Sequence, residues 1–196
     1  MSFSTGYAFD WDVLYWIQEY MKNAFNDFLM PKLTMLGEVG AVWIIICLIL
    51  LFTKKYRRGG IMLAVGLLLG VLIGNAVLKN LVARPRPCWL DENIQMLIAI
   101  PKDYSFPSGH TLSSVIAATI LTKVNKKFAW FAVSLAAVIA FTRLYLFVHF
   151  PTDIIAGLVL GIIIGLFVSF VGPLMFANSN SLRGLHRLHD KGQDDR

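Results

Sequence analysis

Long apolar runs constrain this chain more than any other feature of its sequence. A helix needs roughly 20 mainly apolar residues to cross the roughly 30 Å hydrocarbon core of a bilayer. Several stretches of this chain come close to that length, and hydrophobic residues make up 57% of its 196 residues, well above ordinary soluble usage. A soluble globular fold is therefore disfavoured. The sequence predicts an all-α fold, a polytopic transmembrane helix bundle.

The predicted bundle has five clear spans, at about 34–53, 60–79, 108–123, 128–147 and 152–172. They belong to a single membrane-integral domain over residues 1–178, and residues 179–196 form a polar cytoplasmic tail. The first thirty residues lack the pattern of a removable signal peptide. We therefore expect the first span to act as the targeting signal.

Basic residues near the span ends predict the topology. Short loops rich in Lys and Arg stay on the cytoplasmic side. We therefore expect the connection 80–107 and the corner 143–152 to lie outside the cell, in a multi-pass plasma-membrane protein. The same clustering explains the net charge of +6 without a nucleic-acid partner. Because successive spans cross the membrane in opposite directions, three basic clusters fall on the same side of it: Lys54, Lys55, Arg57 and Arg58; Lys123, Lys126 and Lys127; and Arg183, Arg187 and Lys191.

An amphipathic pattern precedes the first span. Aromatic residues in this segment are typical of a membrane interface, so we predict one N-terminal amphipathic helix on the outer surface, with a sixth, polar-faced span as the alternative. The apolar residues that recur at helical spacing are Leu14, Ile17, Met21, Ala24, Phe25 and Phe28, and the aromatic ones are Trp11, Tyr15, Trp16 and Tyr20.

Glycines recur at every fourth position in two of the spans. Small residues at this spacing let helices approach closely, either within one chain or across a homodimer. Packing within one chain is the favoured interpretation, and the homodimer is the alternative. The positions are Gly66, Gly70 and Gly74 in the second span, and Gly157, Gly161 and Gly165 in the last.

Cations gather where the second span ends. The segment contains Lys79, Arg84 and then Arg86 followed by Pro87. Alone, such a cluster is typical of a helix end anchored at the interface. Two later segments on the same predicted side instead indicate a binding site for an anion.

The second segment is Pro107-Ser108-Gly109-His110, directly before an apolar run. Ser108 is a natural N-cap for a helix that begins there. The free N–H groups at such a helix end, together with the helix dipole, attract an anion. Alone, Pro-Ser-Gly is also ordinary turn and cap punctuation, and a lone His there is more often an interfacial residue than a catalyst.

The third segment places Arg143, His149 and Asp153 around a predicted corner between two spans. Pro151 suits the first turn of a helix, so His149 should project from the corner with Asp153 one turn further on. Asp153 could then hold one imidazole nitrogen and raise the basicity of the ring. The alternative is an ion pair from Arg143 to Asp153 that only tethers two helices.

Taken together, the segments follow the order Lys-x6-Arg-Pro, Pro-Ser-Gly-His and Arg-x5-His-x3-Asp. This arrangement resembles the type-2 phosphatidic acid phosphatase superfamily over residues 79–153. One departure is Thr142, where the family usually has Ser; a hydroxyl is retained, so little effect is expected. The other is the absence of a convincing first span, whereas an arrangement of six helices is common in the family.

The resemblance implies a role for each matched residue. His149 would be the nucleophile that forms a phosphohistidine, Asp153 would orient it, and His110 would be the general acid and base. Arg84 lies outside the family's defined positions and is interpreted as an outer contact or an interfacial anchor. The residues expected to hold the phosphoryl oxygens are Lys79, Arg86, Ser108, Gly109 and Arg143.

No metal site or cofactor is expected. Carboxylates are not paired near these segments, and Cys47 and Cys88 have neither disulfide nor zinc spacing. We predict a metal-independent hydrolase that acts on a membrane lipid phosphate or diphosphate outside the cytoplasm. Undecaprenyl diphosphate is the leading candidate, with phosphatidylglycerol phosphate and phosphatidic acid as alternatives. A vanadium-dependent haloperoxidase and a non-catalytic lipid-phosphate binder or flippase are the rival classes.

Overall fold

The computed structural model describes the backbone of residues 8–194 and the side chains of residues 8–174. Within these residues every regular element is helical, as predicted. The α-helices are α1 (Ala8–Tyr20), α2 (Ala24–Met35), α3 (Ala41–Phe52), α4 (Arg57–Gly70), α5 (Lys79–Val82), α6 (Pro87–Leu90), α7 (Gly109–Val124), α8 (Lys126–Tyr145) and α9 (Pro151–Asp194). A 3₁₀ turn, Glu38–Gly40, precedes α3, and a π-helical segment, Val71–Leu78, joins α4 to α5.

Helix α7 occupies the centre of the bundle and packs against α3, α4, α8 and α9. Its sequence is apolar on nearly every side, which is the pattern of a helix enclosed by others. Ile116, Ala117 and Ile120 are completely buried. The site-bearing start of α7 is therefore held in place from several directions.

Three helical stretches are long and apolar enough to cross a membrane: Arg57–Leu90, Lys126–Tyr145 and Pro151–Leu174. They correspond to the predicted second, fourth and fifth spans. A fourth candidate is the pair formed by α2 (Ala24–Met35) and Glu38–Phe52, which is bent by 42° and counts only if the two parts form one span; its second part overlaps the predicted first span, 34–53. Helix α7 has 16 residues, about 24 Å of helix, shorter than the hydrocarbon core. The count of five spans stays a prediction.

The glycine spacing serves packing within the chain. A Cβ at Gly66 would lie 2.7 Å from Ile120 Cδ1, and one at Gly161 would lie 2.8 Å from Val115 Cβ. Both stripes thus face α7 and allow α4 and α9 to approach it. The favoured interpretation of these stripes is confirmed, and a homodimer needs another surface.

The prediction of one continuous N-terminal helix is wrong. The chain leaves helical geometry at Asn23, which has a φ of −161° and whose side chain accepts a hydrogen bond from Asn26 N. This N-cap begins a second helix, α2. As a result Ile17 is buried in α1, whereas Phe25 and Phe28 are exposed on α2.

The two basic loops lie at one end of the bundle. The side chain of Asn125, between α7 and α8, donates a hydrogen bond of 3.1 Å to the hydroxyl of Tyr56, just before α4. Tyr56 also packs edge to face on Phe128. The tail predicted over 179–196 falls in the part of α9 whose side chains lie outside the description, and its last two residues lie outside the described residues.

Candidate active site

A cavity of about 970 Å³ receives three of the predicted cations. Lys79 comes from the start of α5, Arg86 from the residue before α6 and Arg143 from the last turn of α8. All three side chains are buried. Gly109 and His110, at the start of α7, line the same cavity. The structure therefore brings together residues from three segments that lie far apart in the sequence.

Asp103 holds two of these cations and was missed by sequence reasoning. Its carboxylate forms ion pairs with Lys79 Nζ and, at 2.8 Å, with Arg86 Nη2. Burial alone would raise the pKa of Asp103, but the hydrogen bond from Lys79 and the charges of Arg86 and Lys79 outweigh it and lower the pKa to about 2. Asp103 lies in an irregular connection, so no periodic pattern marked it.

The Asp103→Asn variant should be less stable than the wild type at neutral pH. A carboxyl whose folded pKa is depressed from 3.8 to about 2 stabilises the fold above pH 4, and this contribution is lost as pH falls through 2. The wild type should therefore unfold at a higher temperature than the Asp103→Asn variant, by an amount that is constant from pH 8 to pH 5 and vanishes towards pH 2. The exposed Glu92→Gln change in the same connection is the matched control. A difference that persisted at pH 2 would contradict an ionic role.

Ser108 caps α7, as predicted. Its hydroxyl accepts hydrogen bonds from Thr111 Oγ1 at 3.1 Å and from Thr111 N at 3.5 Å, and its own N–H donates to the carbonyl of Asp153. Ser108 is fully buried and is not part of the cavity wall. The geometry thus ties this residue to the helix start, whereas Gly109 and His110 face the cavity.

His110 contributes a buried ring nitrogen without a hydrogen-bond partner. Nε2 lies 3.6 Å from a carboxylate oxygen of Glu38, which is too long for a hydrogen bond. The ring packs so tightly on Gly37 that a Cβ there would lie 2.7 Å from His110 Cδ2. Glu38 was not singled out from the sequence, although an acidic residue inside a predicted span is a signal of function.

Arg143 also has a donor without a partner. Its Nη1 donates a hydrogen bond of 2.6 Å to the buried hydroxyl of Thr34 in α2, while its Nε has none. Thr142, where the family usually has Ser, is buried and donates to the carbonyl of Ile139. Buried donors are almost always paired. Among the described side chains, three buried nitrogens lack a partner: Arg84 Nε, which lies away from the cavity, and His110 Nε2 and Arg143 Nε, whose residues line it. The two on the cavity wall suit an anion as their partner.

His149, Ser105 and Asp153 form a compact corner beside the cavity. His149 Nδ1 lies 3.6 Å from Asp153 Oδ2, beyond hydrogen-bond range, and 3.3 Å from Ser105 Oγ. Ser105 donates to the same Asp153 oxygen at 2.5 Å. The predicted contact between Asp153 and the imidazole therefore runs through Ser105, a residue that the sequence did not reveal.

The other ring nitrogen of His149 faces Arg86. Nε2 lies 3.0 Å from Arg86 Nη1, and the ring is almost completely buried. Burial, followed by the charges of Arg86 and Arg143, keeps the pKa of His149 well below its ordinary value. A neutral imidazole has a free lone pair, so this environment suits a nucleophile.

Arg84 is not an outer anchor, contrary to the sequence interpretation. It is buried and pairs with Asp153 Oδ1 at 2.6 Å through Nη1 and with Asp10 Oδ2 at 2.7 Å through Nη2. Arg84 lies two residues before Arg86, and Pro85 separates them. Its side chain contacts Asp153 and Thr152 of α9 and does not line the cavity. The alternative ion pair between Arg143 and Asp153 is absent among the described residues, since Arg84 takes that place.

Comparison with known proteins agrees with this geometry. Residues 59–174 match the sequence profile of the PAP2 superfamily. The chain belongs to the PAP2 superfamily. This match covers more than half of the chain and contains Lys79, His110 and His149, but it does not include α1 or α2.

Individual PAP2 relatives match in part. An undecaprenyl-diphosphatase of Sulfolobus acidocaldarius is 36% identical over 121 residues, 61% of this chain and 58% of that protein. A lipid A 4'-phosphatase of Porphyromonas gingivalis is 32% identical over 139 residues, 64% of this chain and 59% of that protein. The chain thus spans less than three fifths of these curated relatives. The crystal structure of Aquifex aeolicus LpxE superimposes with a TM-score of 0.75 and 26% identity, covering 86% of this chain and 98% of that one.

Proposed function

We propose that this PAP2 protein is a lipid phosphatase that needs no metal and works through a phosphohistidine at His149. The lining of the cavity carries the proposal. It combines buried cations and His110 with apolar side chains of α3, α4, the π-helical segment and the 91–102 connection: Ile44, Leu67, Leu68, Val71, Ile98 and Ile100. A molecule that suits both kinds of lining has a phosphate at one end and a hydrocarbon chain at the other.

The proposed first step transfers the phosphoryl group to His149. Ser105 occupies Nδ1 and links it to Asp153, so Nε2 is the nitrogen that attacks phosphorus. The N–P bond forms as the P–O bond to the lipid breaks, and the departing oxygen takes the electron pair and a proton from His110. Since Arg86 Nη1 lies against Nε2, its guanidinium must move onto the phosphoryl oxygens as the substrate binds.

The second step returns the enzyme to its starting state. Water attacks phosphorus, His110 accepts the water proton, and the electron pair of the N–P bond returns to the ring of His149. Lys79, Arg86 and Arg143 offset the charge on the phosphoryl oxygens in both steps, with the N–H of Gly109 at the helix start. Positioning and electrostatics of this kind are the main part of phosphoryl-transfer catalysis.

Undecaprenyl diphosphate is the leading substrate candidate. The relative from Sulfolobus acidocaldarius bears the name of that activity, and the apolar part of the cavity suits a prenyl chain. Phosphatidylglycerol phosphate and phosphatidic acid combine the same two chemical parts and are the alternatives. For a diphosphate, the leaving group is a lipid monophosphate rather than an alkoxide.

The active face is proposed to be extracytoplasmic. The basic loop residues near Tyr56 and Asn125 share one end of the bundle, and such clusters are retained in the cytoplasm. The candidate site lies at the other ends of the helices that these loops join, at the start of α7 and the end of α8. A site at that level receives a phosphate while the lipid chain stays in the bilayer.

Detergent-purified protein should release phosphate from a lipid phosphate in excess EDTA at the rate seen without EDTA. The described side chains include no cluster of three His, Cys, Asp or Glu residues that could hold a metal, and the cations already supply positive charge at the phosphate. The assay compares undecaprenyl diphosphate, phosphatidylglycerol phosphate and phosphatidic acid.

Loss of turnover in EDTA, restored by Mg²⁺, would contradict metal independence. Binding of all three lipids by a folded protein without phosphate release would instead support the binder or flippase. Peroxide-dependent halide oxidation after vanadate addition would support the haloperoxidase, whereas inhibition by vanadate fits the phosphatase.

A further inference from the structure

Asp10 is an aspartate of α1 that is completely buried beside the catalytic corner. Its Oδ1 accepts a hydrogen bond of 2.9 Å from Thr152 N, and its Oδ2 accepts one of 2.8 Å from Thr152 Oγ1. Arg84 Nη2 donates to the same Oδ2 at 2.7 Å. A buried carboxylate is costly unless it is paired in this way. Helix α1 is thus fixed to the start of α9, next to Asp153.

Arg84 connects Asp10 to the proposed catalytic carboxylate. Its Nη1 donates to Asp153 Oδ1 at 2.6 Å and to Thr152 Oγ1 at 2.7 Å. The guanidinium also lies 4.1 Å above the ring of Phe150. A planar guanidinium with two carboxylates on its fork has little freedom to rotate. The orientation of Asp153 is therefore fixed from the side opposite Ser105.

The charges of Asp10 and Arg84 determine how strongly the negative charge of Asp153 acts on the ring of His149. Arg84 forms ion pairs with both Asp10 and Asp153, so these three side chains in their charged forms sum to −1. Burial is the largest effect that disfavours a positive ring at His149, followed by the charged or titratable groups Arg86, Arg143, Lys79 and His110. Without the charge of Asp10, Arg84 would cancel the charge of Asp153.

We propose that Asp10 is a positioning residue of the catalytic corner, which acts through Arg84 to hold Asp153 and to leave its negative charge for His149. The proposal rests on the proposed role of His149 as the nucleophile. It extends the active site to a helix that lies outside residues 59–174, the part that matches the PAP2 profile.

The Asp10→Asn variant should change the two chemical steps in opposite directions. Formation of the N–P bond places positive charge on the imidazole, and the weaker negative field makes this step slower. Breakdown returns the electron pair to the ring and becomes faster. We therefore expect kcat to fall about 10- to 100-fold, as for other groups that orient a catalytic ligand, with KM little changed and a smaller steady-state fraction of phosphoenzyme.

The matched control is Asp12→Asn, which removes the same charge from an exposed position of the same helix. It should behave as the wild type. The double variant Asp10→Asn with Arg84→Gln removes one negative and one positive charge and restores the net charge of −1. Because the double variant also loses the contact between Arg84 and Asp153, the charge effect is read on the His149 ring, which should titrate closer to the wild-type pH than the ring of the single variant does. A loss for Asp10→Asn equal to that of Asp12→Asn, or a His149 ring that titrates no closer to the wild type in the double variant, would overturn the proposal.

An NMR titration of the His149 ring separates this proposal from the proposed function, because it needs no turnover. The ring of the Asp10→Asn variant should titrate at a lower pH than that of the wild type, and the ring of Asp12→Asn should titrate as the wild type does. If the wild type released no phosphate from any lipid, the proposed function would fail, but the titration would still decide the role of Asp10. An unchanged His149 titration in Asp10→Asn overturns that role.

Discussion

Replacement of His149 by alanine is expected to lower phosphate release by about 10⁴-fold or more, the scale seen when a nucleophile that works as part of a unit is removed. The variant keeps the cations but loses the atom that is proposed to form the covalent bond. Phosphate release from the preferred lipid is the measurement. Phosphoenzyme trapped by alkaline detergent quench should disappear together with the activity.

Folding of the His149→Ala variant needs its own check, because the ring is buried between Ser105 and Arg86. Thermal unfolding in detergent and the elution volume on size exclusion provide it. A folded variant that still formed a phosphoenzyme would place the nucleophile elsewhere. A folded variant with near wild-type turnover would exclude a phosphohistidine at this position.

Replacement of His110 by alanine should have an effect that depends on the leaving group. General acid catalysis contributes about 10²- to 10⁴-fold, and an alkoxide leaving group needs the proton most. We therefore expect a loss of that size with phosphatidic acid. The loss should be much smaller with p-nitrophenyl phosphate, whose leaving group is stable without a proton.

The comparison between the two substrates provides an internal control, since both contain a phosphate monoester and differ in the leaving group. Activity of the His110→Ala variant is expressed for each substrate as a fraction of wild-type activity. Equal losses on both substrates would show that His110 binds the phosphoryl group instead of donating a proton. Its partnerless Nε2, on the cavity wall, would then be a phosphate ligand.

The central part of the site could be predicted because its determinants are local. Ser108 before an apolar run specifies a helix start, and Pro151 two residues after His149 specifies the next one. Both signals act within a few residues of the helix start. Once these helices pack side by side, their shared ends bring His110 and His149 to one face of the bundle.

The supporting residues could not be predicted because their partners are chosen by tertiary packing. Asp103 and Ser105 lie in an irregular connection, and no periodicity distinguishes them from its other polar residues. Arg84 and Arg86 are both arginines before a proline, yet one pairs with Asp153 and the other contacts His149. The break at Asn23 was missed because the apolar spacing continues across it.

The pairing of Asp103 with Lys79 and Arg86 has a consequence for the turnover cycle. In the proposed cycle, a phosphate group that binds these cations would displace the Asp103 carboxylate, so its net binding would be weaker than the charges alone would give. When inorganic phosphate departs, the tethered carboxylate would return to the cations. Such an exchange would favour release of the product over its retention.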